Sequence, residues 1–277
     1  MPRSAAVKLF IRKAAKMGKK KKVQAVVLCQ KMIAPDIYDL WLETDLAGEA
    51  YAGQFLGIYP QDKSHLLPRP ISICQVDRHK EAVRLVYRIA GAGTGEFAGW
   101  QPGQKAEVLG VLGNGFPVKE CAGKETVLLG GGIGIPPMLE LARELKEQGD
   151  FPVIVVGYRD NNLFLYEELQ AYGKVFVATE DGSVGTKGNV LDVVREEKLS
   201  PQVIMACGPM PMLRAVKVFA AEGNIRTYLS LEERMACGVG ACLGCVCKTV
   251  EKDHHSHVNN ARICTDGPVF DAQEVEI

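Results

Sequence analysis

The sequence predicts an antiparallel β-barrel followed by a parallel α/β unit, with a small cysteine-rich segment at the C-terminal end. Three observations carry this. Short apolar runs separated by turn residues fill positions 23–121 with few helical stretches between them, the pattern of an antiparallel barrel. From Glu125 onward, apolar strands alternate with helical stretches, which argues for a parallel sheet covered by helices on both faces. Near the C-terminus Cys237, Cys242, Cys245 and Cys264 are spaced C-x4-C-x2-C-x18-C, the first three inside a glycine-rich run.

The barrel strands are expected at 23–30, 37–43, 55–59, 71–76, 82–89 and 105–112, each bounded by Gly, Pro, Asp or Asn. A buried strand at 126–129 then runs into Gly130-Gly131-Gly132-Ile133-Gly134-Ile135-Pro136-Pro137, followed by a helix over 138–148 and a strand over 152–158. Further alternation covers 175–179, 190–197, 203–207, the helical 211–222 and 225–231. The chain therefore divides into a basic start (1–22), a barrel (23–122), an α/β domain (123–228) and a cysteine segment (229–277).

At 277 residues and 47% hydrophobic, the chain is large enough for two compact domains and an appendage. Nine cysteines is an odd number and no secretory leader is evident, so the chain reads as reduced and cytoplasmic rather than disulfide-framed. No apolar run approaches the roughly 20 residues that span a bilayer, so no membrane span is expected. The 33 basic and 33 acidic residues cancel, but nine of the basic ones fall within 1–22 with no acid, which leaves the rest at −9. Such a start has the composition of an arm for acidic lipid or nucleic acid, and more commonly of a solvated tail; no nucleic-acid partner is expected.

The cysteine spacing points to iron-sulfur chemistry. Thiolates must converge on two irons while backbone N–H groups approach the negatively charged sulfurs, and Gly238, Gly240 and Gly244 permit that approach. A structural zinc site is the rival, but it more often sets its cysteines in separated knuckles. Cys247, two residues past Cys245 and on the same strand face, competes as a ligand. Cys29, Cys74 and Cys121 read as small core hydrophobes, and the tract Asp253-His254-His255-Ser256-His257 as a solvent loop.

Two further turns suit phosphates. Gly131, Gly132 and Gly134 stand where a buried strand enters a helix, so backbone can approach a diphosphate at the helix N-terminus, and Pro136 or Pro137 suits the first helical turn. Cys207-Gly208-Pro209 lies at the carboxyl end of a later strand, on the edge where open parallel sheets bind ligands. In the barrel, Leu67-Pro68-Arg69-Pro70-Ile71-Ser72-Ile73 is expected to place Arg69, for a phosphate, and Ser72, for a ring nitrogen or ribityl hydroxyl, on one side of a strand. Gly91-Ala92-Gly93-Thr94 opens a short helix with Thr94 near its N-cap, a second diphosphate seat. After the strand at 152–158, Arg159-Asp160-Asn161-Asn162 sets one acid beside one arginine, which leaves the choice of nicotinamide cofactor open.

In this order, the Arg-Pro-x-Ser strand, the Gly-x-x-Thr turn, the Gly-Gly-Gly-Ile-Gly-x-x-Pro turn and the Cys-Gly-Pro-x-x-Met turn resemble the ferredoxin reductase superfamily. With the cysteine run and Cys264-Thr265-Asp266-Gly267-Pro268 added, the chain resembles the electron-transfer subunits of NAD-dependent, class B dihydroorotate dehydrogenases over about residues 23–277. The resemblance implies a flavin-binding barrel with FAD at Arg69, Pro70, Ile71, Ser72, Val86, Tyr87, Arg88, Gly93 and Thr94. It implies NAD at the α/β turns, a 2Fe-2S cluster on the four spaced cysteines, and an FMN-containing catalytic partner in a heterotetramer of two subunits of each kind. Ile71 stands where many relatives of the superfamily have tyrosine, and Tyr87, which reads equally well as a core residue, is the candidate to replace it in part. The chemistry is coherent, because nicotinamide exchanges two electrons as hydride, a cluster passes one, and a flavin handles either. No constellation for oxidising an organic substrate is visible, and the resemblance assigns that task to the partner.

Overall fold

The computed structural model describes residues 20–252 and 257–277, so most of the basic start, and His254 and His255 of the histidine tract, lie outside the described residues. Six strands, β1 (Lys21–Ala34), β2 (Ile37–Glu43), β3 (Phe55–Tyr59), β4 (Arg69–Asp77), β5 (Ala82–Arg88) and β6 (Lys105–Leu112), close into an antiparallel barrel in the order β1-β2-β5-β4-β3-β6. Closure comes from β1, which pairs with β2 along one edge and with β6 along the other, Lys21 lying opposite Gly110. Alternate residues of these strands point inward. Leu40, Leu42, Leu56, Ile58, Val83 and Leu85 fill the interior together with Phe97 of the helix α1 (Ala92–Phe97) and Trp100 beyond it. Tyr87 is part of this filling, with its ring 5.8 Å from Tyr38 in a stack, 6.0 Å from Phe97 edge-on, and its hydroxyl donating to Gln30 at 3.0 Å.

The second part follows the order β7 (Thr126–Gly131), α2 (Pro136–Glu147), β8 (Val153–Tyr158), α3 (Tyr166–Gln170), β9 (Lys174–Thr179), β10 (Thr186–Lys187), α4 (Val190–Glu196), β11 (Val203–Cys207), α5 (Met210–Glu222) and β12 (Arg226–Ser230). The sheet order is β10-β9-β8-β7-β11-β12, all parallel. Every residue of β7 is buried, as expected of a strand with helices on both faces. Helix α2 begins with two prolines in its first turn and buries Met138, Leu139, Leu141, Ala142 and Leu145. Its larger apolar side chains each contribute roughly 1.5–3 kcal/mol on burial.

The C-terminal segment adds β13 (Val246–Thr249), β14 (Asn260–Arg262), β15 (Val269–Asp271) and β16 (Val275–Glu276). Strands β14-β13-β16 form a small sheet, whereas β15 joins the α/β sheet antiparallel to β12, with Phe270 opposite Leu229. The expected division at 228/229 thus falls inside β12, and that at 22/23 falls inside β1.

The barrel and the α/β unit are joined through polar groups on α2 and α3. Glu144 accepts from the Ala52 N–H at 2.9 Å, and the fully buried Glu140 accepts from the Val76 N–H at 3.1 Å while pairing with Arg143. Arg84 of β5 bonds the buried Asp39 at 2.8 Å and reaches Glu168 of α3 at 3.0 Å.

Candidate functional site

The parallel sheet changes direction of winding between β7 and β11, which is the crevice where open α/β sheets take ligands. Both expected turns meet there, because Gly130 and Cys207 are register partners at the ends of these strands. A Cβ on Gly134 would collide with the Cys207 carbonyl and lie 2.6 Å from the Gly208 nitrogen, so only glycine lets the two turns touch backbone to backbone. Met212 of α5 packs over Gly131 and Gly208. Desolvation pushes the Cys207 thiol up to about 12 against the opposing Ser230 hydrogen bond, so it stays protonated at neutral pH. Beyond β8, Asp160 already accepts from the Asn162 N–H at 2.9 Å and from its side-chain amide at 2.6 Å.

On the barrel side, Arg69 stacks against Gly93, where a Cβ would stand 2.6 Å from its Nε, and Nη1 donates to the Leu67 carbonyl at 2.6 Å. The strand and the glycine turn are therefore one site. Regular pairing of Arg69 with Ile58, Pro70 with Gly57, Ile71 with Leu56 and Ser72 with Phe55 leaves no bulge in this stretch. Arg69 and Ser72 consequently leave opposite faces of the strand rather than one, because side chains alternate with period two. Ile71 packs toward the barrel interior.

Two other expectations are corrected by the packing. The Tyr87 ring is 1% exposed among the barrel aromatics, so it has no free face for a flavin, and the backbone of Val86 and Tyr87 is what this strand presents. Thr94 does lie near the N-cap of α1, as its third residue, where its hydroxyl accepts from Ala90 N at 2.8 Å and from the N-cap Gly91 N at 3.3 Å and donates to Gly91 O at 3.1 Å. The start of that helix offers its unbonded N–H groups instead. Cys29 is exposed on β1, unlike the buried Cys74 and Cys121. Arg88, exposed at the end of β5, reaches toward the other unit, with Nη2 3.8 Å from the position of a Cβ on Gly132.

The cysteine loop lies against β6. Gly238 and Gly240 adopt φ of +67° and +81°, and the position of a Cβ on Gly238 lies 3.2 Å from Leu109 and 3.4 Å from Leu112. The same two leucines flank Gly57, the partner of Pro70, so a single side-chain layer separates the cysteine loop from the Arg69–Ser72 strand. Cys237 accepts from the Val239 and Cys242 N–H groups at 3.4 Å, while Cys245 and Cys264 are both buried. Desolvation raises the Cys237 pKa, but these N–H groups outweigh it and bring the thiol down to about 6. Among the described residues, no three or more His, Cys, Asp or Glu side chains are gathered closely enough to hold a metal ion. Cys247 sits within β13 opposite Ala261 and packs against the C-terminal core.

Sequence reasoning missed two residues here. Asn114 clamps the turn after Cys264 to the barrel: its N–H donates to Gly267 O at 2.7 Å, its amide to Asp266 O at 3.0 Å and Val269 O at 2.8 Å, and its Oδ1 accepts from Val269 N. Its setting, Gly113-Asn114-Gly115, reads as an ordinary turn, so no signal marked the long-range role. Lys20, at the leading end of β1, has a buried Nζ with no hydrogen-bond partner.

Residues 232–276 match the family model for the iron-sulfur cluster binding domain of dihydroorotate dehydrogenase B, and residues 128–218 match that for the oxidoreductase NAD-binding domain. The chain is 43% identical over 261 residues to the dihydroorotate dehydrogenase B (NAD(+)) electron transfer subunit of Bacillus velezensis, covering 93% of this chain and 100% of that protein. The counterpart from Geobacillus is 42% identical over 259 residues, covering 92% and 98%. A solved chain of NADH-dependent reduced ferredoxin-NADP oxidoreductase, described for flavin-based electron bifurcation, superposes with a TM-score of 0.80 at 25% identity over 92% of this chain and 91% of that one. A ferredoxin NADP+ reductase from Neisseria gonorrhoeae with bound FAD and NADP shares the fold at a TM-score of 0.63 and 18% identity, over 73% and 91%. Barrel, switch-point crevice, glycine-rich cysteine loop and these likenesses agree: the chain belongs to the family of electron transfer subunits of dihydroorotate dehydrogenase B (NAD(+)).

Proposed function

We propose that the chain holds FAD on the barrel, a 2Fe-2S cluster in the cysteine segment and NAD at the β7/β11 crevice, and that it delivers to NAD the electrons of dihydroorotate oxidised on an FMN-bearing partner subunit. The observation that carries this reading is the continuity of the three places. The cysteine loop rests on Leu109 and Leu112, these flank the strand paired with Pro70, and Arg88 reaches from the barrel to the Gly132 turn.

The residues present fit the groups. Three cysteines in a glycine-rich loop and a fourth at the turn that Asn114 ties to the barrel suit two irons, each taking two thiolates. The unpaired ammonium of Lys20 beside them calls for an anionic neighbour. When bound, the cluster carries single electrons and the flavin converts them to the pair that nicotinamide takes up as hydride. Arg69, anchored over Gly93, holds a diphosphate by charge-assisted bonds. Gly131, Gly132 and Gly134, with Cys207, Gly208 and Pro209, seat the nicotinamide dinucleotide backbone-first, and the neutral Cys207 thiol adds no charge to that crevice. Val239 and Leu243, 42% and 70% exposed beside Cys237 and Cys242, form the apolar surface that meets the partner, in a heterotetramer of two subunits of each kind.

A transhydrogenase-type reductase subunit has the same architecture, but the chain is 43% identical to dihydroorotate dehydrogenase B subunits and 25% identical to the bifurcating reductase chain. Anaerobic purification followed by visible absorption and metal analysis tests the cofactor set. Flavin bands with iron and acid-labile sulfide at about two each per chain are expected; a colourless, zinc-bearing protein would overturn the reading. Steady-state comparison with an artificial acceptor should give a higher kcat/KM for NADH than for NADPH, and the opposite preference would remove NAD from it.

A further inference from the structure

Lys20 stands at one end of β1, just before the Lys21–Gly110 register pair and alongside β6, the strand on which the cysteine loop rests. Its Nζ is one of two buried side-chain polar atoms among the described residues that have no hydrogen-bond partner, the other being Trp100 Nε1 in the barrel core. Burial lowers the Lys20 pKa, against the fields of Cys264, Cys237 and Asp266 and together with that of Arg262. Arg262 and Asp266 satisfy each other, since the Asp266 carboxylate accepts from the Arg262 N–H at 2.8 Å and approaches its Nε at 3.4 Å, while the Arg262 guanidinium donates to the Gly240 carbonyl at 3.1 Å. Lys20 is left in the field of these two thiols with no hydrogen-bonded carboxylate of its own. The next two lysines differ, for Lys21 pairs with Glu49 at 3.1 Å and Lys22 with Glu107 at 2.9 Å.

An unpaired buried ammonium is costly unless a negative charge sits beside it. Four thiolates around two irons supply such a charge, and it becomes one unit more negative when the cluster is reduced. A fixed positive charge therefore favours the reduced form, and burial of Nζ limits screening by salt. We infer that Lys20 is a positioning charge for the iron-sulfur cluster, raising its midpoint potential so that the cluster accepts an electron more readily. This rests on the cluster reading above.

The test is a potentiometric titration of the whole purified chain, following the EPR signal of the reduced cluster, for wild type, Lys20→Met, Lys20→Gln and Lys20→Arg, with Lys21→Met as control. Removing the charge should lower the equilibrium constant for one-electron reduction about tenfold, which is 59 mV for a one-electron couple, at both low and high salt. Lys20→Arg and Lys21→Met should stay near wild type. The inference is overturned if Lys20→Met and Lys20→Gln titrate with wild-type potential, or if Lys21→Met shifts it as far. If the neutral variants cannot retain the cluster, retention decides: Lys20→Arg keeping it supports a role for the charge, and Lys20→Arg losing it as well refutes one. A wild-type protein without any 2Fe-2S spectrum would instead sink the underlying cluster reading.

Discussion

Arg69 has its guanidinium laid over Gly93 and one N–H committed to the Leu67 carbonyl, which leaves the remaining donors of its planar fork for a ligand. Hydrogen bonds from a charged donor contribute roughly 1.5–3 kcal/mol. Arg69→Ala should therefore weaken FAD binding by about 2 kcal/mol, roughly thirtyfold in Kd, seen as flavin lost on gel filtration; full retention would remove Arg69 from the site. Among the cysteines, Cys264→Ser should lose iron and sulfide, because Cys264 is buried against Cys245, while Cys247→Ser should keep both, because Cys247 is held in the β13 ladder. The reverse outcome would reassign the fourth ligand. At this scale the sequence marked candidates, the four cysteines by their spacing and Arg69 by its place in an Arg-Pro-x-Ser strand. It concealed residues whose role depends on what lies across the fold. Tyr87 was open to either a flavin or the core until Tyr38 and Phe97 closed around it, Asn114 looked like an ordinary turn residue until it bonded Gly267 and Val269, and Lys20 was one lysine of a run.

The barrel strands and the βα alternation were legible because each strand presents a run or an alternation long enough to see. The strands β13–β16 were not, since two to four residues carry no period. Helix α2 shows how an element can do two tasks. Its apolar residues pack on the sheet while Glu140 and Glu144 cap backbone N–H groups of the barrel, contacts that no local pattern announces. Glu140→Ala would leave the Val76 N–H and the Arg143 guanidinium without their buried partner, so a loss of about 2–3 kcal/mol in urea unfolding is expected; a change below about 0.5 kcal/mol would show that the contact contributes little. Gly134→Ala would force the two turns of the crevice apart. It should cost about 1–3 kcal/mol in stability and raise the KM for NADH, and an unchanged KM would place the dinucleotide elsewhere.

Across the whole molecule, the barrel joins the α/β unit through Arg84, Glu140, Glu144 and Glu168, and joins the cysteine segment through Asn114. The segment is further tied to the α/β sheet by β15, so all three parts are held as one frame. No helix among the described residues is long and apolar enough to cross a membrane. The exposed Val239 and Leu243 stand at the edge of this frame, beside the cysteines. A charge placed there by Leu243→Asp should weaken association with the catalytic subunit at least tenfold while leaving NADH-dependent dye reduction intact; undiminished association would move the interface elsewhere. The central claim, that this chain transfers electrons for a reaction carried out on another subunit, is tested most directly by assaying dihydroorotate-dependent NAD reduction with the chain alone and after reconstitution with the catalytic subunit. The account predicts none with the isolated chain, which still reduces dye with NADH, and coupled NAD reduction once the two are combined. Oxidation of dihydroorotate by the isolated chain, or failure of the reconstituted pair to reduce NAD, would contradict it.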